Sequence, residues 1–142
     1  MNKEEKTIAN KVVDKMMDHD AFSQWLGIER LEDGPGRSVL RMTVRKEMLN
    51  GFYIAHGGIT YSLADSALAF ASNSHGRKAV SIETSISHTE SLHEGDVITA
   101  EATEENAGNK IAFYHVRVTN QHGRLVALFK GTVYRTEKEW EV

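Results

Sequence analysis

The hydrophobic and polar positions at the start of the chain predict an amphipathic helix followed by a hairpin. Residues 3–18 place apolar side chains at helical spacing between lysines and glutamates, which is typical of a helix with one buried face. Residues 20–26 are expected to add a short helical turn. Residues 27–45 predict two strands around the DGPG turn at 33–36.

The stretch HGGITYSLADSALAFASN at 56–73 predicts the most apolar helix of the chain. We expect this helix over roughly 57–74, after a glycine-containing loop at 46–58 and before a stop at Gly76. Its apolar residues leave almost no polar face. Such a helix must be covered nearly all round by the rest of the protein.

Alternating apolar and polar residues after this helix predict four strands joined by short turns. The predicted strands are 77–89, 96–106, 110–120 and 124–136. The short connections favour an antiparallel meander. One curved antiparallel sheet wrapped around the long apolar helix would cover it, which is the hotdog architecture of the α+β class. We expect residues 1–142 to form a single domain, with residues 1–26 as a helical cover.

Composition and charge exclude several classes of protein. The chain has 142 residues and a net charge of −3, so it lacks the basic excess that nucleic-acid binding requires. It contains no cysteine, which excludes disulfides, thiolate metal sites and a cysteine nucleophile. No apolar run is long enough to span a membrane, and the charged N-terminus is unlike a signal peptide. We therefore expect a soluble, cytoplasmic protein.

Asp65 lies in the middle of the apolar helix, where an ionised carboxylate is costly. Buried carboxylates are therefore paired, protonated or functional. One interpretation is structural, because Ser62, Ser66 and Ser72 fall near Asp65 on a helical wheel and could donate hydrogen bonds to it. The other interpretation is that Asp65 takes part in chemistry, and the residues before the helix favour it.

The residues His56, Gly57 and Gly58 stand at the start of the same helix. A helix N-terminus presents unpaired backbone N–H groups and a partial positive charge, and glycine lets a ligand approach them closely. An oxyanion hole requires such donors for a carbonyl oxygen that gains charge. An isolated His-Gly-Gly is also typical of an ordinary helix entry, so the indication lies in the whole string from Asn50 to Asp65.

The spacing N-x5-H-G-G-x6-D, formed by Asn50, His56-Gly57-Gly58 and Asp65, resembles the hotdog-fold acyl-CoA thioesterases of the phenylacetic acid degradation protein PaaI type. The helix stretch is similar to that of the family nearly end to end. Residues 96–136 are similar to the family's last three strands, with LVALFKGT as the most specific part. The resemblance covers roughly residues 20–137.

This resemblance implies hydrolysis of an aryl- or medium-chain acyl-CoA, such as phenylacetyl- or hydroxyphenylacetyl-CoA, to the free acid and CoA. It implies that Asp65 acts on the thioester carbonyl, as a base for water or as a nucleophile, while the N–H of Gly57 polarises that carbonyl. Asn50 and His56 would position water and thioester, and Ser81 would orient water. No metal and no separate cofactor are implied, because coenzyme A is part of the substrate.

The resemblance also suggests where coenzyme A binds. Relatives often carry an Arg-Pro pair where this chain has Glu90 and Ser91, so one cation for a CoA phosphate is missing. The expected CoA contacts are Gly108, Asn109, Lys110 and Arg135. Alternatively, Lys110 and Arg135 are solvated surface charges.

The separation of Gly57 and Asp65 predicts that two copies of the chain share one site. Helical rise places the two residues about 12 Å apart along the axis, too far to act on one carbon atom. The chemistry therefore favours Asp65 of one copy facing Gly57 of another, and the unpaired sheet edges invite such pairing. We expect a homodimer at minimum, and the family resemblance implies a homotetramer.

Other readings of the sequence remain as alternatives. None of the seven histidines forms a ligand pair such as HExxH, and the G-x-S-x-G pattern of serine hydrolases is absent. The main alternative is a non-catalytic module that binds or senses acyl-CoA, because a fold alone does not decide function. Asp65 discriminates between the two, since a sensor does not need a buried carboxylate at the thioester.

Overall fold

A computed structural model describes residues 5–142 as three helices and six strands. In chain order they are α1 (Ile8–His19), α2 (Ala21–Leu26), β1 (Glu29–Gly34), β2 (Arg37–Thr43), α3 (Gly57–Asn73), β3 (Arg77–His88), β4 (Val97–Ala107), β5 (Ile111–Thr119) and β6 (Leu125–Glu139). A short 3-10 turn at Lys46–Met48 begins the loop before α3. The order of elements is the one that the sequence pattern predicts.

Helix α1 begins later than the apolar spacing predicts because Thr7 caps it. The Thr7 side chain accepts a hydrogen bond from the N–H of Asn10, and the Asn10 side chain accepts one from the N–H of Thr7. Residues 5–7 therefore precede the helix, and the predicted positions 3 and 4 lie outside the described residues. At the other end of the chain, β6 continues beyond the predicted residue 136 to Glu139.

The strands form one antiparallel sheet in the order β1-β2-β4-β5-β6-β3. Helix α3 contacts all six strands, which requires the sheet to curve around it. In β5, for example, Ala112, Tyr114, Val116 and Val118 are buried and the residues between them face outwards. This arrangement confirms the expected hotdog fold with a wrapped central helix.

Helices α1 and α2 pack against α3 beside the sheet. Val12 and Val13 of α1 and Leu26 of α2 are buried. Across residues 5–142, no helix combines the length and the apolar character that crossing a membrane would require.

Strand β3 is an edge of the described sheet, because it pairs with β6 and with no other described strand. Its pairing shifts register between Ser81 and Glu83, where a bulge inserts one residue. Ala79, before the bulge, and Ile86, seven positions later, both pack against the core, although regular alternation would place them on opposite faces of the strand. Val80, which alternates with Ala79, and Ile82, at the bulge itself, are 56% and 58% exposed.

Gly131 of β6 allows α3 to pack closely on the sheet. A Cβ at this position would overlap Cδ2 of Leu68 and lie 2.9 Å from its Cδ1, on a side chain that is 1% exposed. Because the core leaves Leu68 little room, we expect Gly131→Ala to lower the free energy of unfolding by about 1–3 kcal/mol through overpacking. Chemical denaturation measures this effect.

Gly51→Ala is the matched control for this prediction, because a Cβ on Gly51 would meet nothing within 4 Å. We expect this control to change the free energy of unfolding by less than about 0.5 kcal/mol. Equal stability of the two variants would contradict the close packing at Gly131.

Candidate active site

Helix α3 begins at Gly57 because His56 caps it. His56 has an extended backbone, with φ −58° and ψ 135°, and its Nδ1 accepts a hydrogen bond of 2.9 Å from the N–H of Gly58. The bond satisfies one of the N–H groups that a helix start leaves unpaired. His56 therefore has a structural contact in this chain besides the predicted role in positioning water and thioester.

The backbone N–H of Gly57 donates to no acceptor within residues 5–142. Gly57 lines a cavity of about 340 Å³ together with Asn50, Thr60 and His88. The Nε2 atom of His88 lies 3.3 Å from the point that a Cβ on Gly57 would occupy. A free donor at a helix N-terminus beside a cavity has the geometry that polarising a carbonyl group requires.

Asn50 lines the same cavity as Gly57, and the loop orients its side chain. The Oδ1 atom accepts a hydrogen bond of 2.9 Å from the N–H of Phe52, and the Asn50 N–H donates to the carbonyl of Ile54 at 2.8 Å. The side-chain amide nitrogen has no acceptor among the residues described. It is therefore free to donate a hydrogen bond into the cavity.

Asp65 lines a second cavity, of about 380 Å³, together with Ser81. The side chain of Asp65 is half-buried, and it accepts no hydrogen bond from any described residue. Most of the surrounding walls are apolar, with contributions from α1, α3, β3, β6 and the C-terminal segment. The structure thus brings Asp65 and Ser81 together, as it does Asn50 and Gly57.

The structural interpretation of Asp65, as a carboxylate held by neighbouring serines, is wrong. The Ser62 hydroxyl donates to the carbonyl of Gly58 at 2.6 Å, and the Ser66 hydroxyl bonds to that of Ser23 at 2.8 Å. The hydroxyl of Ser72 donates to the carbonyl of Ala69 at 3.3 Å. Each serine finds another partner because serine readily bonds to the backbone one turn earlier or to a facing helix.

The environment of Asp65 makes its carboxylate more basic than usual. Burial raises the pKa of Asp65 above its usual value, and the nearby carboxylate of Asp20 raises it further. Asp20 itself caps α2, where its side chain accepts a hydrogen bond of 3.0 Å from the N–H of Ser23. A carboxylate with a raised pKa and no protein donors is suited to accept a proton from water.

The residues expected to bind CoA lie together where the turn between β4 and β5 meets β6. The N–H of Arg135 donates to the carbonyl of Lys110 at 2.6 Å, and its Nη1 donates to that of Gly108 at 2.8 Å. Arg77, which the sequence reasoning missed, donates from Nη2 to the carbonyl of Asn109 at 2.8 Å. Three cationic side chains therefore stand around this turn, outside both cavities.

Two further residues near the Gly57 cavity were not among the predicted catalytic and CoA-binding residues. His88 lies against Gly57 at the end of β3, where the only available signal was its place in the strand after the apolar helix. Arg124 forms an ion pair with Glu90, which lines this cavity. Glu90, at the position where the family resemblance led us to expect an arginine, is therefore paired with a cation from the turn before β6.

Comparison with known proteins identifies the family. The model of the thioesterase superfamily matches residues 52–127, which is more than half of the chain. Acyl-coenzyme A thioesterase PaaI of Escherichia coli (strain K12) is 38% identical over 120 residues, which cover 84% of this chain and 86% of that protein. The structure of the E. coli PaaI protein from the phenylacetic acid degradation operon matches with a TM-score of 0.91 and 36% identity, covering 93% of this chain and 96% of that one.

Two other solved structures are also similar. Phenylacetic acid degradation protein PaaI from Thermus thermophilus, solved as an asparagine-to-aspartate variant, has a TM-score of 0.80 and 41% identity, covering 82% of this chain and 100% of that one. A hypothetical thioesterase from Streptococcus pneumoniae TIGR4, solved with coenzyme A, has a TM-score of 0.83 and 27% identity, covering 89% and 98%. The pneumococcal protein has also been solved as aspartate-to-alanine and threonine-to-alanine variants, at positions sixteen residues apart.

The family model spans the whole wrapped helix, and the similarity to E. coli PaaI covers 84% of the chain in sequence and 93% in structure. They confirm the resemblance that the string and the last strands indicate. The chain therefore belongs to the thioesterase superfamily, as a hotdog-fold thioester hydrolase of the PaaI type.

Proposed function

We propose that this chain hydrolyses aryl- or medium-chain acyl-CoA, with phenylacetyl- and hydroxyphenylacetyl-CoA as representative substrates. The observation that carries the proposal is the half-buried Asp65 carboxylate, which has a raised pKa, no hydrogen-bond donor in the described part of the chain, and an apolar cavity beside it. The similarity to E. coli PaaI, an acyl-coenzyme A thioesterase, and the coenzyme A in the pneumococcal structure support the choice of substrate class.

In the proposed reaction, Asp65 acts as the general base. It removes a proton from water, whose oxygen forms a bond to the thioester carbon, and the resulting oxyanion is held by the N–H of Gly57. Collapse of this intermediate breaks the carbon–sulfur bond, and the CoA thiolate takes up the proton that Asp65 removed from water, which restores the Asp65 carboxylate. The products are the carboxylic acid and CoA, and the reaction needs no cofactor beyond water and the thioester.

The proposed site is built by two copies of the chain, one supplying Gly57 and the other Asp65. Within one chain these residues line different cavities and lie about 12 Å apart along α3. The free edge of β3, with its exposed Val80 and Ile82, offers a surface on which a second copy could pair. Four copies, as a pair of such dimers, remain the expectation from the family.

For the CoA phosphates we propose Lys110 and Arg135, supported by Gly108 and Asn109, as the contacts. The hydrogen bonds from Arg135 to the turn hold these groups together. Arg77 lies beside them at the start of β3. Along this strand it is four residues, or about 13 Å, from Ser81, which lines the Asp65 cavity. It is eleven residues, or about 35 Å, from His88, which lines the Gly57 cavity. The turn would therefore serve the site to which its own chain contributes Asp65.

Thiol release from a panel of acyl-CoAs tests the proposed function. Because the chain has no cysteine, a thiol reagent detects only liberated CoA. We expect phenylacetyl-, 4-hydroxybenzoyl- or hexanoyl-CoA to react faster than acetyl- and palmitoyl-CoA. Tight binding of acyl-CoA without turnover of any substrate would contradict the proposal and favour the binding or sensing module.

Ser81→Ala is expected to lower kcat by about tenfold, a smaller loss than removal of a general base. Ser81 shares the Asp65 cavity and follows Asp65 by sixteen residues, the separation of the substituted aspartate and threonine in the pneumococcal thioesterase. Steady-state kinetics with the best substrate measure the effect, with the exposed Ser85→Ala on the same strand as control. A loss as large as that of Asp65→Asn would show that Ser81 does more than orient water.

A further inference from the structure

The cavity beside Asp65 has the chemistry of an acyl-binding pocket. It has a volume of about 380 Å³, and its apolar lining includes Met16, Leu68, Val133 and Trp140. The proposed function places the thioester carbonyl at Asp65, so the acyl group attached to that carbonyl has this apolar space directly beside it. Ligand pockets commonly combine such walls with a few polar groups.

Trp140, in the segment after β6, forms one wall of this pocket and is held there by three contacts. Its backbone N–H donates to the carbonyl of Gly76 at 2.7 Å, and its Nε1–H donates to Oδ1 of Asn73 at 2.9 Å. The Nζ atom of Lys78 lies 4.9 Å from the ring centroid, in a cation–π contact. These contacts fix the position of the indole.

Asn73 ties the indole to the two elements that line the pocket. It is 2% exposed, and its Oδ1 also accepts a hydrogen bond of 2.9 Å from the N–H of Ala79 in β3. Its side-chain nitrogen donates to the carbonyl of Ala69 in α3 at 2.8 Å and to that of Ala79 at 3.1 Å. Displacing Trp140 would remove the hydrogen bond from its Nε1–H to the buried side chain of Asn73.

A third cavity, an open depression of about 390 Å³, adjoins the acyl pocket at Trp140. Its lining includes His19 and Asp20 at the end of α1, and it shares Met16 and Trp140 with the acyl pocket. Met16 and Trp140 therefore lie at the boundary where the two cavities adjoin. Methionine is flexible and adapts to its neighbours, whereas the tethered indole is a rigid barrier.

We propose that Trp140 is a specificity-determining residue that limits the length of the acyl group. With the indole in place, the pocket ends at the boundary between the two cavities and suits an aryl or medium-chain group. Without it, the two cavities become continuous, and a longer chain can extend past the end of α1. This inference rests on the proposed function, because it takes Asp65 as the position of the thioester.

The ratio of kcat/KM for palmitoyl-CoA to that for hexanoyl-CoA tests this role. In Trp140→Ala we expect the ratio to rise by about tenfold or more, the range of discrimination that a few methylene groups in an apolar pocket provide. Trp140→Phe keeps a ring at the boundary and should retain the wild-type preference. An unchanged ratio in a folded Trp140→Ala protein would overturn the inference.

A second measurement leaves Trp140 in place, and so does not depend on the folding of Trp140→Ala. The chain has two tryptophans, so a Trp25→Phe/Asp65→Asn protein retains a single indole and turns substrate over slowly. Trp25 is 48% exposed and stacks on Phe22, a contact that phenylalanine can keep. Saturating hexanoyl-CoA should change the Trp140 emission and CoA alone should not. Unchanged emission at saturation would overturn the inference.

The outcomes separate this inference from the proposed function. If the wild-type protein hydrolyses no acyl-CoA, or if turnover does not depend on Asp65, the proposed function fails and the inference fails with it. If turnover depends on Asp65 while either the chain-length ratio in Trp140→Ala or the Trp140 emission stays unchanged, the inference alone fails.

Discussion

Replacing Asp65 by asparagine is expected to lower kcat for thioester hydrolysis by about 10²–10⁴-fold, the contribution of a well-placed general base. Asparagine has nearly the same shape, and the carboxylate accepts no hydrogen bond within residues 5–142 that the amide would lose, so the fold should persist. Thiol release with the best acyl-CoA measures the loss. Asp18→Asn, an exposed aspartate on α1, is the control for the chemistry of the substitution and should retain full turnover.

The same substitution should make the protein more stable at neutral pH. Because burial raises the folded-state pKa of Asp65 above the usual 3.8, ionisation of this group destabilises the folded protein. The wild-type protein therefore loses stability as pH rises from the unfolded-state pKa through the folded-state pKa. We expect Asp65→Asn to gain about 0.5–2 kcal/mol above that window, the increment that single stabilising substitutions commonly give.

The stability difference between Asp65→Asn and wild type at low pH tests this explanation. Below the unfolded-state pKa, Asp65 is protonated in both states, so the stability difference between variant and wild type should disappear. Thermal unfolding at a series of pH values measures the difference directly. A variant that is less stable than wild type at neutral pH would mean that the Asp65 carboxylate is a structural group.

Replacing Gly57 by proline is expected to remove the oxyanion donor while keeping the helix. Gly57 is the first residue of α3, a position where proline is favoured because its missing N–H would have no partner in the helix. The preceding residue, His56, already has the extended backbone that a following proline requires. We expect kcat to fall by about 10²–10³-fold, the effect of losing one oxyanion-hole donor.

Gly57→Ala is the matched control, because both variants add a Cβ beside His88 and only proline lacks the N–H. The comparison of kcat between the two variants therefore isolates the hydrogen bond from the steric change. Circular dichroism should show the same helix content in both. If the proline and alanine variants have equal kcat, the N–H of Gly57 does not stabilise the transition state.

The central helix and its carboxylate could be predicted because their signals are local. The apolar stretch leaves almost no polar face, so a covered helix is expected, and the predicted 57–74 differs from the observed Gly57–Asn73 by one residue. Gly57 starts that helix in the structure as in the prediction. The free-energy cost of burying Asp65 could also be predicted, because a single carboxylate among apolar neighbours at helical spacing is recognisable from the sequence alone.

Other features depend on contacts that local patterns do not contain. The helical wheel placed three serines near Asp65, but it could not show that Ser66 would bond to Ser23 of α2. Plain alternation along β3 does not reveal the bulge between Ser81 and Glu83, although that bulge changes which side chains face the core. The indole of Trp140 meets Asn73 across 67 residues of sequence, so its place beside Asp65 appears only in the folded chain.

Mixing the two inactive variants tests most directly whether one copy supplies Gly57 and another supplies Asp65. Asp65→Asn and Gly57→Pro chains, co-expressed with different affinity tags and purified through both, should regain turnover within an order of magnitude of wild type. Each mixed dimer then holds one site with an intact Gly57 and an intact Asp65. Mixed assemblies that contain both chains but remain as inactive as either variant alone would show that the site is not shared between copies.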